Sequence, residues 1–303
     1  MIGENAYFPR CSYVKDAVRY PPVRPYLPVR ACTYDKHSLH PPSFHPLHLC
    51  GSNKMKLFRF FSPATFYPLA GRLIPRFAVL AAVALLVGFY WGFFETPDRL
   101  GGTNPQKEYY RIIFIHVPAA WMSMWLYLVM AAYSAVGLVF NTRLSFMLAR
   151  AAAPTGTVFT FLALWTGALW GHPSWGTWWD WDPRLTSELI LFFLYIGYLA
   201  LHSAIDDPRR ADRASALLAI VGLVMVPVIF WSVNCPDPNK CAALHQRSSM
   251  ANMEPNILRS MLIVTFGLWM YSFVTIFMRV RNIILIREAD TTWVKELIAS
   301  EHR

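Results

Sequence analysis

Six long apolar runs, at approximately 77–94, 112–140, 147–170, 188–204, 215–234 and 260–280, dominate this sequence. Each approaches the roughly 20 residues that an α-helix needs to cross the hydrocarbon core of a bilayer. Lipid offers no partner for backbone N–H and C=O groups, so a spanning segment must satisfy them internally, as a helix does. The expected fold is therefore all-α: a polytopic membrane protein, a bundle of six transmembrane helices. Composition agrees, with 55% hydrophobic residues and 15% charged, against about a quarter charged in soluble chains. Pro154 with Gly156, and Pro227, fall inside the third and fifth runs, where neighbouring helices can re-satisfy freed carbonyls and a kink is tolerated.

The chain carries a net charge of +10, which could suggest nucleic acid, but its distribution argues against that partner. Of the 28 Lys and Arg, 21 lie before the first run, in or bordering the second and fourth connections (Arg143, Arg150, Arg209, Arg210, Arg213) and at or beyond the end of the last run (Arg279, Arg281, Arg287, Lys295, Arg303). The remaining seven are Arg99, Lys107, Arg111, Arg184, Lys240, Arg247 and Arg259. The excess marks the cytoplasmic side, which puts both termini there and turns the first, third and fifth connections outward.

Two domains are expected. Residues 1–54 hold eight of the 22 prolines and four histidines (His37, His40, His45, His48) without helical or spanning period, and read as a disordered Pro/His-rich extension. Met55 followed by Lys56, Leu57, Phe58 and Arg59 resembles a natural start, so whether residues 1–54 are translated stays open. Residues 55–303 form the six-span unit.

The third connection reads Gly171-His-Pro-Ser-Trp-Gly-Thr-Trp-Trp-Asp-Trp-Asp-Pro-Arg-Leu-Thr-Ser-Glu188, with Trp175, Trp178, Trp179 and Trp181 inside seven residues. Tryptophans anchoring a protein at the membrane interface would be scattered singly over several helix ends. Four in one connection form an outward tryptophan-rich loop and a platform. If the first part is helical, Trp175, Trp178, Trp179 and Asp182 share a face at i, i+3, i+4 and i+7. Flat indoles suit a large planar apolar ligand such as a porphyrin. Asp180, Asp182, Arg184, Thr186 and Glu188 add polar groups; Arg184 could pair with Asp182 or, through its planar fork, with a ligand carboxylate.

His116 opens the second run and His245 lies in the fifth connection, both on the outward side. Neutral imidazole nitrogen is a common axial ligand of haem iron, so the two are expected to hold iron above or beside the platform. His172, beside the tryptophan loop, and His202, at the opposite face, are weaker candidates.

The string from Trp175 to Glu188 resembles the signature of the haem-handling "WWD" membrane proteins of cytochrome c biogenesis, and within them the CcmC family. The likeness extends over roughly residues 55–300, through His116-Val-Pro-Ala-Ala-Trp121 and Leu244-His-Gln246. The resemblance implies a subunit that binds haem b transiently at the periplasmic side of a bacterial inner membrane, with axial ligands at His116 and His245. It implies delivery to the haem chaperone CcmE, in company with CcmA, CcmB and CcmD. The ATPase work falls to those partners, since this sequence has no G-x-x-x-x-G-K-[ST] loop. The expectation is a carrier rather than an enzyme; the alternative is a haem lyase or cytochrome c synthase of the same superfamily, and a third reading is a membrane subunit whose tryptophans only anchor it. The fifth connection departs from the family, with Asn234-Cys-Pro-Asp-Pro-Asn-Lys-Cys-Ala-Ala243 where a Trp-Trp-Asn-Thr stretch is usual. Cys235 and Cys241 could close a small disulfide loop there if their geometry allows.

Overall fold

The computed structural model describes residues 62–96, 109–234, 250 and 253–301. The 1–54 extension, His245, Cys235 and Cys241 lie outside the described residues. All regular structure within them is helical: α1 (Pro63–Tyr90), α2 (Ile113–Phe140), α3 (Arg143–Trp175), α4 (Pro183–Ala204), α5 (Pro208–Gly222), α6 (Met225–Asn234), α7 (Pro255–Arg287) and α8 (Thr292–Glu301). A π-helical turn, Trp91–Glu95, extends α1, and a 3-10 turn, Tyr109–Ile112, leads into α2. Six stretches are long and apolar enough to cross a membrane, as the sequence leads one to expect: Pro63–Glu95, Tyr109–Phe140, Arg143–Trp175, Pro183–Ala204, Pro208–Ser232 and Pro255–Arg287.

Boundaries follow from local chemistry. α4, α5 and α7 each begin with an acid followed by proline: Asp182-Pro183, Asp207-Pro208 and Glu254-Pro255. Proline suits the first helical turn, where its missing N–H would have no intrahelical partner anyway. The preceding carboxylate accepts orphan N–H groups. Asp182 Oδ1 accepts from Leu185 N at 2.7 Å, Asp207 Oδ1 from Arg209 N and Arg210 N at 2.9 and 2.8 Å, and Glu254 Oε2 from Asn256 N and Ile257 N at 3.1 and 3.0 Å. Between α2 and α3 only Asn141 and Thr142 intervene. Asn141 takes the left-handed conformation (φ 53°) that Asn tolerates better than most residues, and this folds α2 and α3 into a tight antiparallel hairpin.

The fifth crossing is in two pieces. Pro227 has no N–H for the carbonyl of Leu223, and its ring clashes with that carbonyl in a continuous helix. The chain answers with a turn at Leu223 and Val224, in which Leu223 N and Val226 N bond three residues back, to Ile220 O and Leu223 O, both at 3.2 Å. Pro154, by contrast, leaves α3 helical throughout.

α3 is the central helix: 61% of its apolar window is buried inside the protein, against 22% for α1. α2 and α3 pack along their length, α1 against α7, α4 against α3 and α5, and α6 against α4. The buried centre gathers Met122, Tyr127, Met130, Leu144, Met147, Leu191, Tyr195 and Tyr198. Polar atoms also stitch the helices: Ser260 Oγ donates to Gly88 O at 2.6 Å between α7 and α1, and Tyr195 OH to Ser123 O at 2.8 Å between α4 and α2. At the end where α3 begins, Arg287 clamps Asp212 through both carboxylate oxygens (2.7 and 2.8 Å), and His202 Nε2 lies 3.0 Å from Asp212 Oδ1, tying α7, α5 and α4 together.

Candidate functional site

At the far end of α3 a narrow cleft of about 440 Å³, counting its open mouth, lies between α2, α3 and α4. Its lining combines His116 and Ala120 from α2; Ala163, Leu164, Gly167, Trp170 and Trp175 from α3; and Arg184, Leu185 and Glu188 from α4. Most of these surfaces are hydrocarbon or indole. The polar exceptions are one imidazole, one guanidinium and one carboxyl.

His116 lies in the first turns of α2, facing α3. Ala163, Gly167 and Trp170 share the facing side of α3 at i, i+4 and i+7, and the small residues let the imidazole come close. A Cβ added at Gly167 would stand 3.1 Å from His116 Cε1, tighter than a relaxed contact. Thr166 Oγ1 lies 3.1 Å from His116 Nδ1 and also donates its single hydrogen to the Leu162 carbonyl, at 2.5 Å. Towards the ring the hydroxyl therefore acts as acceptor, which places the imidazole proton on Nδ1 and the basic lone pair on Nε2.

Glu188 is buried one turn into α4, and its Oε1 accepts from Ser123 Oγ at 2.6 Å. Arg184, one turn earlier on the same face, makes no side-chain hydrogen bond or ion pair to any described residue; Glu188 and Asp182 are the carboxylates that feel its charge. A guanidinium in an apolar cleft with no bonded partner is costly, and an anionic ligand would relieve that cost.

The condition for a shared helical face of Trp175, Trp178, Trp179 and Asp182 is not met in the tryptophan connection. α3 stops at Trp175, where Gly176 adopts φ 77° and its N–H bonds to the His172 carbonyl at 3.0 Å. Glycine carries no Cβ to oppose this left-handed C-terminal turn, so residues 176–182 leave the helix. Thr177 Oγ1 then donates to Trp179 O at 2.8 Å, and Trp181 N to Asp180 Oδ1 at 2.8 Å. Trp175 alone of the four indoles lines the cleft. Trp178 stacks on His172 with ring centroids 4.3 Å apart, and Trp179 meets Trp181 edge to face at 5.6 Å. Trp178 and Trp181 are 56% and 73% exposed, so they form an outer apolar rim beyond the cleft. Asp182 is buried as the cap of α4, and burial pushes its carboxyl above the ordinary Asp range while the Leu185 N–H pulls the other way.

Of the expected site residues, His116, Trp175 and Arg184 thus share the cleft, Trp178, Trp179 and Trp181 lie on the loop beside it, and Asp182 shapes the helix that carries Arg184. His202 sits in the ionic cluster at the opposite end. Thr166, Gly167 and Trp170 are additions that sequence reasoning missed; the small-residue spacing Ala163 to Gly167 in an apolar helix could have pointed to a close approach, though not to what approaches.

A family model described as "Heme exporter protein C" matches residues 56–295. The Heme exporter protein C of Escherichia coli (strain K12) is 42% identical over 244 residues, covering 80% of this chain and 96% of that protein. The protein of that name in Haemophilus influenzae is 39% identical over 246 residues, with the same coverage. That of Bradyrhizobium diazoefficiens is 43% identical over 199 residues, covering 66% of this chain and 72% of its own.

Proposed function

Because the chain belongs to the Heme exporter protein C family, we propose that it binds haem in and above the cleft between α2, α3 and α4 and passes it on during c-type cytochrome biogenesis. The observation that carries this reading is the pairing of His116 with Arg184 in one apolar cleft. Haem is flat and hydrophobic, with an iron that imidazole ligates and two carboxylates at one edge. The cleft supplies a counterpart to each: His116 with its lone pair held on Nε2 by Thr166, the walls of Trp170, Trp175 and Leu185, and the guanidinium of Arg184, which bonds to no described residue. A cleft this narrow suits an edge of the macrocycle, leaving Trp178, Trp179 and Trp181 to cover the exposed part. His245 is the second axial ligand in this reading.

The chain's own residues bind, orient and shield; no covalent step on them is required. The haem is haem b, held transiently on the periplasmic face of a bacterial inner membrane. It is delivered to CcmE in company with CcmA, CcmB and CcmD, which hold the ATPase function.

The test is the absorption spectrum of the purified protein from haem-replete cells, with His116→Ala, His245→Ala and Arg184→Gln beside the wild type. Each histidine variant should lose or alter the Soret band, and Arg184→Gln should weaken haem retention while leaving the ligation spectrum unchanged. Unchanged spectra and haem content in both histidine variants would remove the ligand assignment. A thioether product on incubation with haem and a C-x-x-C-H peptide would make the chain a lyase instead.

A further inference from the structure

A second polar cleft lies at the end of the bundle where α3 begins. α3 has 33 residues, about 50 Å at 1.5 Å per residue, so this cleft and the haem cleft are a membrane thickness apart. About 640 Å³ counting its open mouth, it is lined by Asn141 and Arg143 from the turn between α2 and α3, Phe146, and Arg209, Asp212 and Arg213 from the start of α5.

Positive charge dominates it. Asp212, the one carboxylate of the lining, has both oxygens engaged by Arg287 and one also by His202. The nearby Asp207 is turned to the N–H groups of Arg209 and Arg210. Arg143 reaches Glu288 only at 3.6 Å, with its side chain 66% exposed, a geometry worth little in water. Neither Arg209 nor Arg213 makes a side-chain hydrogen bond or ion pair to a described residue.

The surface below the arginines turns apolar at once. Along α5, Arg213, Leu217 and Ile220 follow at i, i+4 and i+7, and Leu217 and Val221 are 58% and 71% exposed. On the other flank Val139 and Phe140, which end α2, are 74% and 60% exposed. A guanidinium cluster at the membrane boundary, continued towards the bilayer centre by exposed aliphatic side chains, has the polarity sequence of a phospholipid read from phosphate to acyl chain.

We propose that this cleft binds an anionic phospholipid of the leaflet in which α3 and α5 begin, its phosphate held by Arg143, Arg209 and Arg213. Basic pockets between spanning helices bind anionic headgroups in this way, each Lys or Arg near the surface contributing a factor of roughly five in affinity. The continuous apolar face favours a lipid over a free phosphate ion.

The test is native mass spectrometry of the full-length protein in neutral detergent, titrated with phosphatidylglycerol, with phosphatidylcholine of the same chains, and with inorganic phosphate. The wild type should retain phosphatidylglycerol preferentially. The triple variant Arg143→Gln/Arg209→Gln/Arg213→Gln should lose that preference, roughly fivefold per arginine, and the corresponding triple Lys variant should keep most of it. Lys295→Gln on α8, outside the cleft, serves as the control and should bind as the wild type does. Melting temperatures recorded alongside separate lost binding from lost folding, and if the Gln variant melts early, the Lys variant and the wild-type lipid preference decide. Equal retention of the two lipids by the wild type, undiminished phosphatidylglycerol binding in a folded Gln variant, or displacement of the lipid by inorganic phosphate would each overturn the proposal.

Discussion

At the scale of single residues, Thr166 is the least conspicuous member of the cleft and sets the chemistry of the most conspicuous one. Its hydroxyl hydrogen is committed to the Leu162 carbonyl, so its oxygen can only receive the His116 Nδ1 proton. Groups that fix the tautomer of a metal-binding imidazole typically change metal affinity by about 10- to 100-fold when removed. Thr166→Val, nearly the same in volume, should therefore weaken haem retention by that order and broaden the ligation spectrum, whereas Thr166→Ser should retain both. Haem titration of the purified variants measures this; equal affinity in Val and wild type would separate Thr166 from the ligand's basicity. None of this was legible beforehand. A threonine inside an apolar run reads as a tolerated polar residue, because bonding back to its own helix is its ordinary role there. His116 was legible because an imidazole in apolar company near the membrane surface needs a partner, and Arg184 because its planar fork suits either the Asp182 carboxylate or one on a ligand.

At the scale of elements, the acid-proline pairs carry most of the boundary information, and Asp182 shows what one such cap costs. It presents Oδ1 to Leu185 N while Oδ2 is buried without a partner, and burial holds the carboxyl above the usual range. A carboxyl raised by folding is favoured in its protonated form. The associated stabilisation is complete below the ordinary Asp value, about 3.9, and is lost as pH rises through the raised one. Asp182→Asn keeps an oxygen for the Leu185 N–H and removes the charge. Its melting temperature should lie near that of the wild type at about pH 4 and gain on it as the pH is raised to about 7; a difference independent of pH would assign the cap a purely hydrogen-bonding role. The six spanning helices could be read from hydrophobic length alone. The path of residues 176–182 could not, since the sequence pattern is compatible with a helical face and only the φ of Gly176 decides against it.

For the whole molecule, the two polar clefts lie at opposite ends of α3, and the proposed orientation assigns them opposite sides of the membrane. It puts the arginine cleft with the Lys- and Arg-rich connections and the proposed haem cleft with the sparse ones. A single cysteine placed at Thr177 in a background lacking the five natural cysteines should react with a membrane-impermeant maleimide from the periplasm of intact cells. One placed at Arg210 should react only after the membrane is opened. The reverse pattern would invert the orientation and with it the periplasmic placement of the haem.

The turn at Leu223 and Val224 divides the fifth crossing into rods of 15 and 10 residues, about 22 and 15 Å long, neither of which spans roughly 30 Å of hydrocarbon alone. Every other crossing is carried by a stretch of at least 22 residues without such a break. Here α5 and α6 each pack against α4, so the fifth crossing is a bridge of two short spans resting on one shared pier.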